Sequence, residues 1–272
     1  MSDQQHPSRE RQRYLRRLKR ERTLIIVAQL LTLVLILALW EVCTRQGILD
    51  PFIFSSPTRI ARTVVSLFHT GNLLYHILYT LWETVLGFIL GTGLGALIAV
   101  VLWWCPRVAK VLDPYLVILN SLPKIALGPV LIVWIGTGIS AIVTIAVLVS
   151  IIVSITSIST GFAGVPEEKL LLMRSFGGTK LQMLRMVVLP ANIPTIISAL
   201  KLSVGLSWVG VIVGEFLISR AGLGYLIVYG GQVFKLDIVM SSVVILCTLA
   251  GVMYYGVSVL EKRVMRRRLY QG

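Results

Sequence analysis

The 272-residue chain is 56% hydrophobic and only 14% charged, with a formal net charge of +14. A soluble globular domain is roughly half apolar and about one-quarter charged, so this composition excludes an ordinary soluble enzyme. It predicts an integral membrane protein with little mass outside the lipid, in agreement with a mean hydropathy of +0.84.

Six segments are apolar enough to cross a bilayer, which takes about 20 residues of helix. In chain order these expected spans are residues 23–44, 82–105, 114–136, 139–160, 191–216 and 238–260. The third and fourth must separate at Gly136-Thr137-Gly138, because the uncharged run from Ile125 to Pro166 is too long for one crossing. The sequence therefore predicts an all-α membrane protein with a basic tail (1–22), a first span (23–44), a core (45–261) and a second basic tail (262–272).

The basic residues lie mainly on one expected side of the membrane. Of the 26 Lys and Arg residues, 19 fall in the two tails and in the second and fourth loops, and five fall on the opposite side. The positive-inside rule then predicts that both termini are cytoplasmic. We expect the basic tails to set this topology and to touch anionic lipid headgroups, and we expect no nucleic-acid partner.

Three glycines recur at intervals of four in the second expected span: Gly87, Gly91 and Gly95. On a helix they share one face, which predicts the close approach of a neighbouring helix. The surrounding GTGLGAL sequence is not a nucleotide-binding fingerprint, because it lies inside an apolar span and lacks the required spacing.

The fourth loop, residues 161–188, is predicted to fold as two short helices joined by a hinge. Pro166 can start the first helix, and Gly177-Gly178 should interrupt it. Leu181, Leu184 and Val188 share one face of the second, after which Pro190 and Pro194 should restart the chain as the fifth span. Such a loop suits presentation to another protein; a helix lying on lipid headgroups is the alternative.

The hinged loop resembles the cytoplasmic motif with which importers of the ATP-binding cassette (ABC) class contact their ATPase. The motif reads E-A-A, three residues, G, nine residues, I-x-L-P, and Gly177, Val187, Leu189 and Pro190 match its later positions. The E-A-A positions hold Leu171, Leu172 and Met173, so the acidic residue is absent there, and Glu168 lies one turn earlier.

The resemblance extends over residues 48–261 to permeases of the nitrate, sulfonate and taurine importer family. It is carried by FSSP at 54–57, TLWETVLGF, LPKIALGPVLIVWIGTG, GLSWVGVIVGEF and AGLGYL, in that order. The resemblance implies the transmembrane domain of a type I ABC importer with a coupling loop at 161–188. The implied ATPase-coupling residues are Glu168, Met173, Phe176, Gly177, Gly178, Leu181, Leu189 and Pro190.

The same resemblance implies a set of partners in the bacterial inner membrane. They are a second copy of this chain, two cytoplasmic ATP-binding subunits and an extracytoplasmic substrate-binding protein. The chain has no G-x-x-x-x-G-K-[ST] sequence, so we expect it to bind no cofactor and to catalyse no reaction, with ATP and Mg²⁺ held by the partner ATPase. We also expect no metal site.

Charged residues within spans are candidates for functional sites because they are costly there. The candidates to line or gate the pathway are Glu83, Lys124, Lys201, Trp208 and Glu215. Lys201 could attract an anionic substrate, pair with a neighbouring acid or extend its ammonium to the membrane surface. Lys124 could snorkel or pair with Asp113. Glu215 could brace an outer gate through hydrogen bonds to the loop at Gly222–Gly224, or it could contact the substrate directly.

Glu83 bears on the cargo, because the resembled sulfonate and nitrate permeases usually carry arginine after the tryptophan. If Glu83 faces the pathway, its charge disfavours an anion and leaves room for a neutral or cationic cargo such as a thiamine-precursor pyrimidine. The expected cargo is therefore a small solute: a sulfonate, nitrate, taurine or similar compound, or that pyrimidine. Two other classes remain open: a secondary transporter or channel without an ATPase, for which we see neither a repeat nor midplane carboxylates, and a structural scaffold.

Overall fold

The computed structural model describes residues 9–70 and 72–269, and these residues are mostly helical. The α-helices are α1 (Arg9–Arg45), α2 (Pro51–Phe54), α3 (Pro57–Thr70), α4 (Leu73–Trp104), α5 (Pro106–Ser121), α6 (Gly128–Ile135), α7 (Ile139–Ala163), α8 (Glu167–Ser175), α9 (Lys180–Met183), α10 (Leu189–Ile218), α11 (Leu223–Gln232) and α12 (Leu236–Leu269). A 3-10 turn (Lys124–Leu127) precedes α6, and a π-helical turn (Leu184–Val188) joins α9 to α10.

Five helical segments in this part of the chain are long and apolar enough to cross a membrane: Thr23–Arg45, Leu73–Trp104, Ile139–Ala163, Lys180–Ile218 and Leu236–Arg266. A broken pair of helices, Pro106–Ser121 and Lys124–Ile135, bends by 86° and gives a sixth candidate span if the two are counted as one. The expected third span at 114–136, interrupted at Lys124, therefore corresponds to the end of α5, the 3-10 turn and α6 rather than to one straight helix. Pro123 causes the break, because it holds Leu122 in an extended conformation, with ψ 137°.

The chain divides into two compact units, residues 1–63 and 64–272. In the first unit, α1 continues from the basic segment into the first span, and residues 1–8 of the expected tail lie outside the described residues. The carboxylate of Glu41 accepts hydrogen bonds from the Thr58 N–H at 3.1 Å and the Thr58 hydroxyl at 2.9 Å, and it pairs with Arg45 at 2.8 Å. These bonds hold the start of α3 beside the end of the first span.

The core of the second unit is helix α7, which packs between α4 and α10. The glycine face of α4 contacts α7 as the sequence predicts: a Cβ on Gly87 would lie 2.7 Å from the Ala146 Cβ, and one on Gly95 would lie 2.5 Å from the Ser154 Cβ. On the other side of α7, a Cβ on Gly210 of α10 would lie 2.5 Å from the Ala146 Cα. Residue numbers increase in the same direction along the contacting faces of α4 and α7, so these two helices are parallel, whereas α10 runs antiparallel to α7.

The fifth span starts earlier than the sequence predicts. Instead of restarting at Pro190, one helical segment runs from Lys180 to Ile218, a length of 39 residues. The π-helical turn explains the continuity, because the Leu189 N–H bonds to the Leu184 carbonyl five residues back and the widened turn accommodates Pro190, which has no N–H.

Candidate functional site: a hinged loop and a buried acidic pair

The hinge in the loop at 161–188 lies at the expected glycines. Helix α8 begins after Pro166 with Glu167 and Glu168 in its first turn, where carboxylates suit the positive end of the helix dipole. Gly177 has a φ of +74°, in the left-handed region that favours glycine. A Cβ on Gly178 would lie 2.7 Å from the Met173 carbonyl oxygen, so this position also requires glycine.

The helix after the hinge starts at a capping box. The Gln182 N–H donates to the Thr179 hydroxyl at 3.3 Å, and the Thr179 N–H donates to the Gln182 Oε1 at 2.7 Å. These reciprocal bonds satisfy two backbone donors at the start of α9. The elbow between α8 and α9 is therefore fixed by a left-handed glycine on one side and a cap on the other.

The loop presents apolar side chains outward at the elbow. Phe176 is 81% exposed and Leu172 is 61% exposed, while Leu181 is 45% exposed. Leu184 and Val188 instead pack with Phe162 in the core, so the expected common face of Leu181, Leu184 and Val188 is divided between the surface and the interior.

An acidic pair lies between the beginning of α4 and the end of α10. Glu83 and Glu215 are both buried, at 0% and 1% exposure, and they are neighbours without a hydrogen bond between their carboxyl groups. Glu215 accepts hydrogen bonds from the Thr80 hydroxyl at 2.7 Å and the Gly224 N–H at 2.5 Å. The hydrogen bond expected between Glu215 and the Gly222–Gly224 loop is therefore present. Neither carboxyl oxygen of Glu83 meets a hydrogen-bond partner in the described chain.

Two further residues, Thr80 and His76, belong to this network, and the sequence analysis did not identify them. The Thr80 hydroxyl accepts from the Leu223 N–H at 2.8 Å, and the His76 Nδ1 accepts from the Gly222 N–H at 3.0 Å. Both were overlooked because the second span was expected to start at residue 82, whereas α4 starts at Leu73. Their spacing before Glu83 places them one and two turns earlier on the same helix, which is the signal that would have found them.

The burial of Glu83 changes the argument about cargo. The expectation of a neutral or cationic cargo required Glu83 to face the pathway, whereas the structure buries it beside Glu215. Glu83 therefore gives no evidence about the charge of the substrate. Trp208, another pathway candidate, is 5% exposed, and its indole N–H has no hydrogen-bond partner in the described chain.

Replacement of each member of the acidic pair by glutamine should have unequal effects. Glu215→Gln replaces one of the two accepting oxygens by an NH₂ group, which cannot accept from the Thr80 hydroxyl or the Gly224 N–H, so we expect it to destabilise the protein by about 3 kcal/mol. Glu83→Gln keeps the shape and removes no hydrogen bond, because neither oxygen of Glu83 has a partner in the described chain, so we expect a loss below about 1 kcal/mol. Thermal unfolding of the two purified variants measures this difference, and equal losses would contradict the assignment of the bracing role to Glu215.

The two lysine candidates have partners within the chain. Lys201 forms an ion pair with Glu261 of α12, and its ammonium lies 5.8 Å from the centre of the Tyr254 ring. Lys124 donates to the Asn120 carbonyl at 2.9 Å, and no ion pair with Asp113 is found among the described residues. The pairing alternative for Lys201 is thus observed, and the proposed pairing of Lys124 with Asp113 is not.

The ion pair predicts a structural role for Lys201. Lys201→Met should lower the melting temperature only slightly, because the ion pair is partly exposed, and should leave uptake close to the unmodified rate. The exchange Lys201→Glu with Glu261→Lys should recover the lost stability. A tenfold fall in uptake by Lys201→Met, at normal amounts in the membrane, would instead place Lys201 in the pathway.

Comparison with known proteins identifies the protein family to which this helical chain is similar. The family model described as "Binding-protein-dependent transport system inner membrane component" matches residues 91–267. A protein of Bacillus subtilis named as an aliphatic sulfonates transport permease, SsuC, is 30% identical over 87% of this chain and 86% of its own length. The formylaminopyrimidine transport permease protein ThiX of Halalkalibacterium halodurans is 29% identical over 70% of this chain and 76% of its own.

Solved structures show the same fold. An inward-facing conformation of the MetNI methionine ABC transporter superposes with a TM-score of 0.61 at 18% identity, covering 72% of this chain and 95% of that one. Fold and family together define a membrane-spanning permease subunit of an ABC importer, a component that is not itself an enzyme. The chain belongs to the binding-protein-dependent transport system inner membrane component family.

Among the described residues, no three His, Cys, Asp or Glu side chains lie together as metal ligands.

Proposed function

We propose that this chain forms the translocation pathway of an ATP-driven importer as a homodimer. Two cytoplasmic ATPases, holding ATP and Mg²⁺, would bind beneath the pair, and an extracytoplasmic binding protein would deliver the solute. The distribution of basic residues supports cytoplasmic termini in the bacterial inner membrane.

The observation that carries the proposal is the fixed elbow with exposed apolar side chains. A side chain such as Phe176, 81% exposed beside a glycine at φ +74°, is costly to leave in water and suits a pocket on another protein. The proposed coupling residues have two roles. The conformation of the elbow depends on Met173, Gly177, Gly178, Leu189 and Pro190. The ATPase is contacted by Glu168, Phe176 and Leu181.

The proposed cargo is a small organic or inorganic solute such as a sulfonate, taurine or nitrate, with a thiamine-precursor pyrimidine as a second candidate. The names of relatives support this range, because SsuC is named for aliphatic sulfonates, ThiX for formylaminopyrimidine and the Escherichia coli protein TauC for taurine. Uptake of each labelled solute by cells with and without this chain is the direct test of cargo.

The proposed assembly is tested by native mass spectrometry of the complex gently extracted from its own membranes. We expect two copies of this chain with two ATP-binding subunits. Recovery of this chain without any ATPase, under conditions that preserve a known importer complex, would overturn the proposal. Uptake driven by an ion gradient would then test the secondary-transporter alternative.

A further inference from the structure

A cavity of about 570 Å³ lies between the hinged loop and the membrane helices. Its wall is formed by the end of α4, the first turns of α5, the end of α7 and the two short helices α8 and α9. The acidic pair is at the opposite ends of α4 and α10, so this cavity is separate from that network.

The floor of the cavity is apolar. Leu102, Phe162 and Met183 line it, and each is at most 6% exposed. Ala109 lines the same space from α5. A floor of this kind offers nothing to a hydrated ion and favours a hydrocarbon group.

The rim of the cavity carries an excess of positive charge. Lys110, Arg174 and Lys180 line it, against a single acid, Asp113. In the described chain, Lys110, Arg174 and Asp113 take part in no ion pair. The Lys180 ammonium donates one hydrogen bond to the Trp104 carbonyl, so it keeps two further donors.

We propose that this cavity binds an anionic phospholipid, with its phosphate on Lys110 and Arg174 and an acyl chain against the apolar floor. The charge at the rim complements the phosphate, and the position at the ends of α4 and α7 lies where a lipid headgroup can reach. A neutral lipid would leave the cations without a partner, and a free phosphate ion would leave the apolar floor exposed.

The test is native mass spectrometry of the delipidated complex titrated with phosphatidylglycerol in detergent. Phosphatidylcholine with the same acyl chains is the neutral comparison. Removing both rim charges, with Lys110→Gln and Arg174→Gln together, should weaken phosphatidylglycerol binding by about 30-fold, because each cation near an anionic headgroup contributes about a factor of five. Ala109→Trp, which fills the floor, should weaken it by at least tenfold.

The matched control is Arg107→Gln with Lys169→Gln, which removes two exposed basic residues of the same segments that do not line the cavity. This control should bind phosphatidylglycerol as the unmodified complex does. Equal binding of phosphatidylcholine, or equal weakening in the control, would overturn the proposal. It would also be overturned if 10-fold excess inorganic phosphate displaced the lipid while Ala109→Trp bound normally, since that result defines an ion site. Lipid binding is measured without ATPase activity, so its outcome is independent of the proposed coupling.

Discussion

Gly91→Val should prevent α4 from packing against α7 and lower stability by about 3 kcal/mol or more. A Cβ at Gly91 would overlap the Ser150 hydroxyl, and Ser150 is fully buried in the centre of the helical core. Neither helix can move away, because Gly87 and Gly95 hold α4 equally close to α7 on both sides. For a chain of this size we expect the apparent melting temperature to fall by about 10 °C.

Gly93→Val is the matched control, because Gly93 lies on the same helix with nothing within 4 Å of its Cβ position. We expect it to melt close to the unmodified protein at the same heating rate. Adding Ser150→Gly to Gly91→Val should recover part of the loss, because it removes the overlapping hydroxyl. If Gly91→Val and Gly93→Val had the same melting temperature, the close approach of α4 and α7 would not exist in the membrane.

Phe176→Asp should uncouple the chain from its ATPase while leaving it folded. The substitution places a charge where an exposed aromatic side chain is proposed to enter a pocket, and loss of such an anchor weakens binding by about 30-fold or more. Stimulation of ATP hydrolysis by the loaded binding protein should fall to the background rate in proteoliposomes. Affinity purification should recover correspondingly less ATPase.

Two variants control this experiment. Phe176→Leu keeps an apolar side chain and should retain most of the coupling. Phe234→Asp makes the same chemical change at a side chain that is 70% exposed between α11 and α12, and affinity purification should recover as much ATPase with it as with the unmodified chain. Wild-type association of Phe176→Asp with the ATPase would show that the elbow docks through other residues or does not dock at all.

Apolar length and glycine spacing were sufficient to predict the helical class and the central packing. The spans follow from apolar length, and the α4–α7 contact follows from glycines at intervals of four, because both depend on residues close together in sequence. The hinge at Gly177 was also predictable, because two adjacent glycines destabilise a helix interior and so separate the two amphipathic segments.

Other features depend on partners distant in sequence. The Lys201 ion pair joins residues 60 apart, and the Thr80 bond to Glu215 joins residues 135 apart. No local pattern distinguishes a lysine that faces a pathway from one that faces Glu261. The broken third span and the unbroken fifth depend on how the backbone near Pro123 and Pro190 satisfies its hydrogen bonds, which composition does not reveal.

The continuous segment from Lys180 to Ile218 makes the elbow and the acidic pair two ends of one rod. Glu215 is 35 residues beyond Lys180, a distance of roughly 50 Å at the rise of an α-helix. The π-helical turn and Pro194 both lie in the first half of the rod, near the elbow, so the remainder up to Glu215 is the stiffer part. Gly210 holds that part close to Ala146 of α7, and Gly214 lies close to Ile142 one turn further on. A displacement of the elbow is therefore either absorbed by bending near Pro194 or transmitted along the stiffer part to Glu215, which accepts a hydrogen bond from the Gly224 N–H.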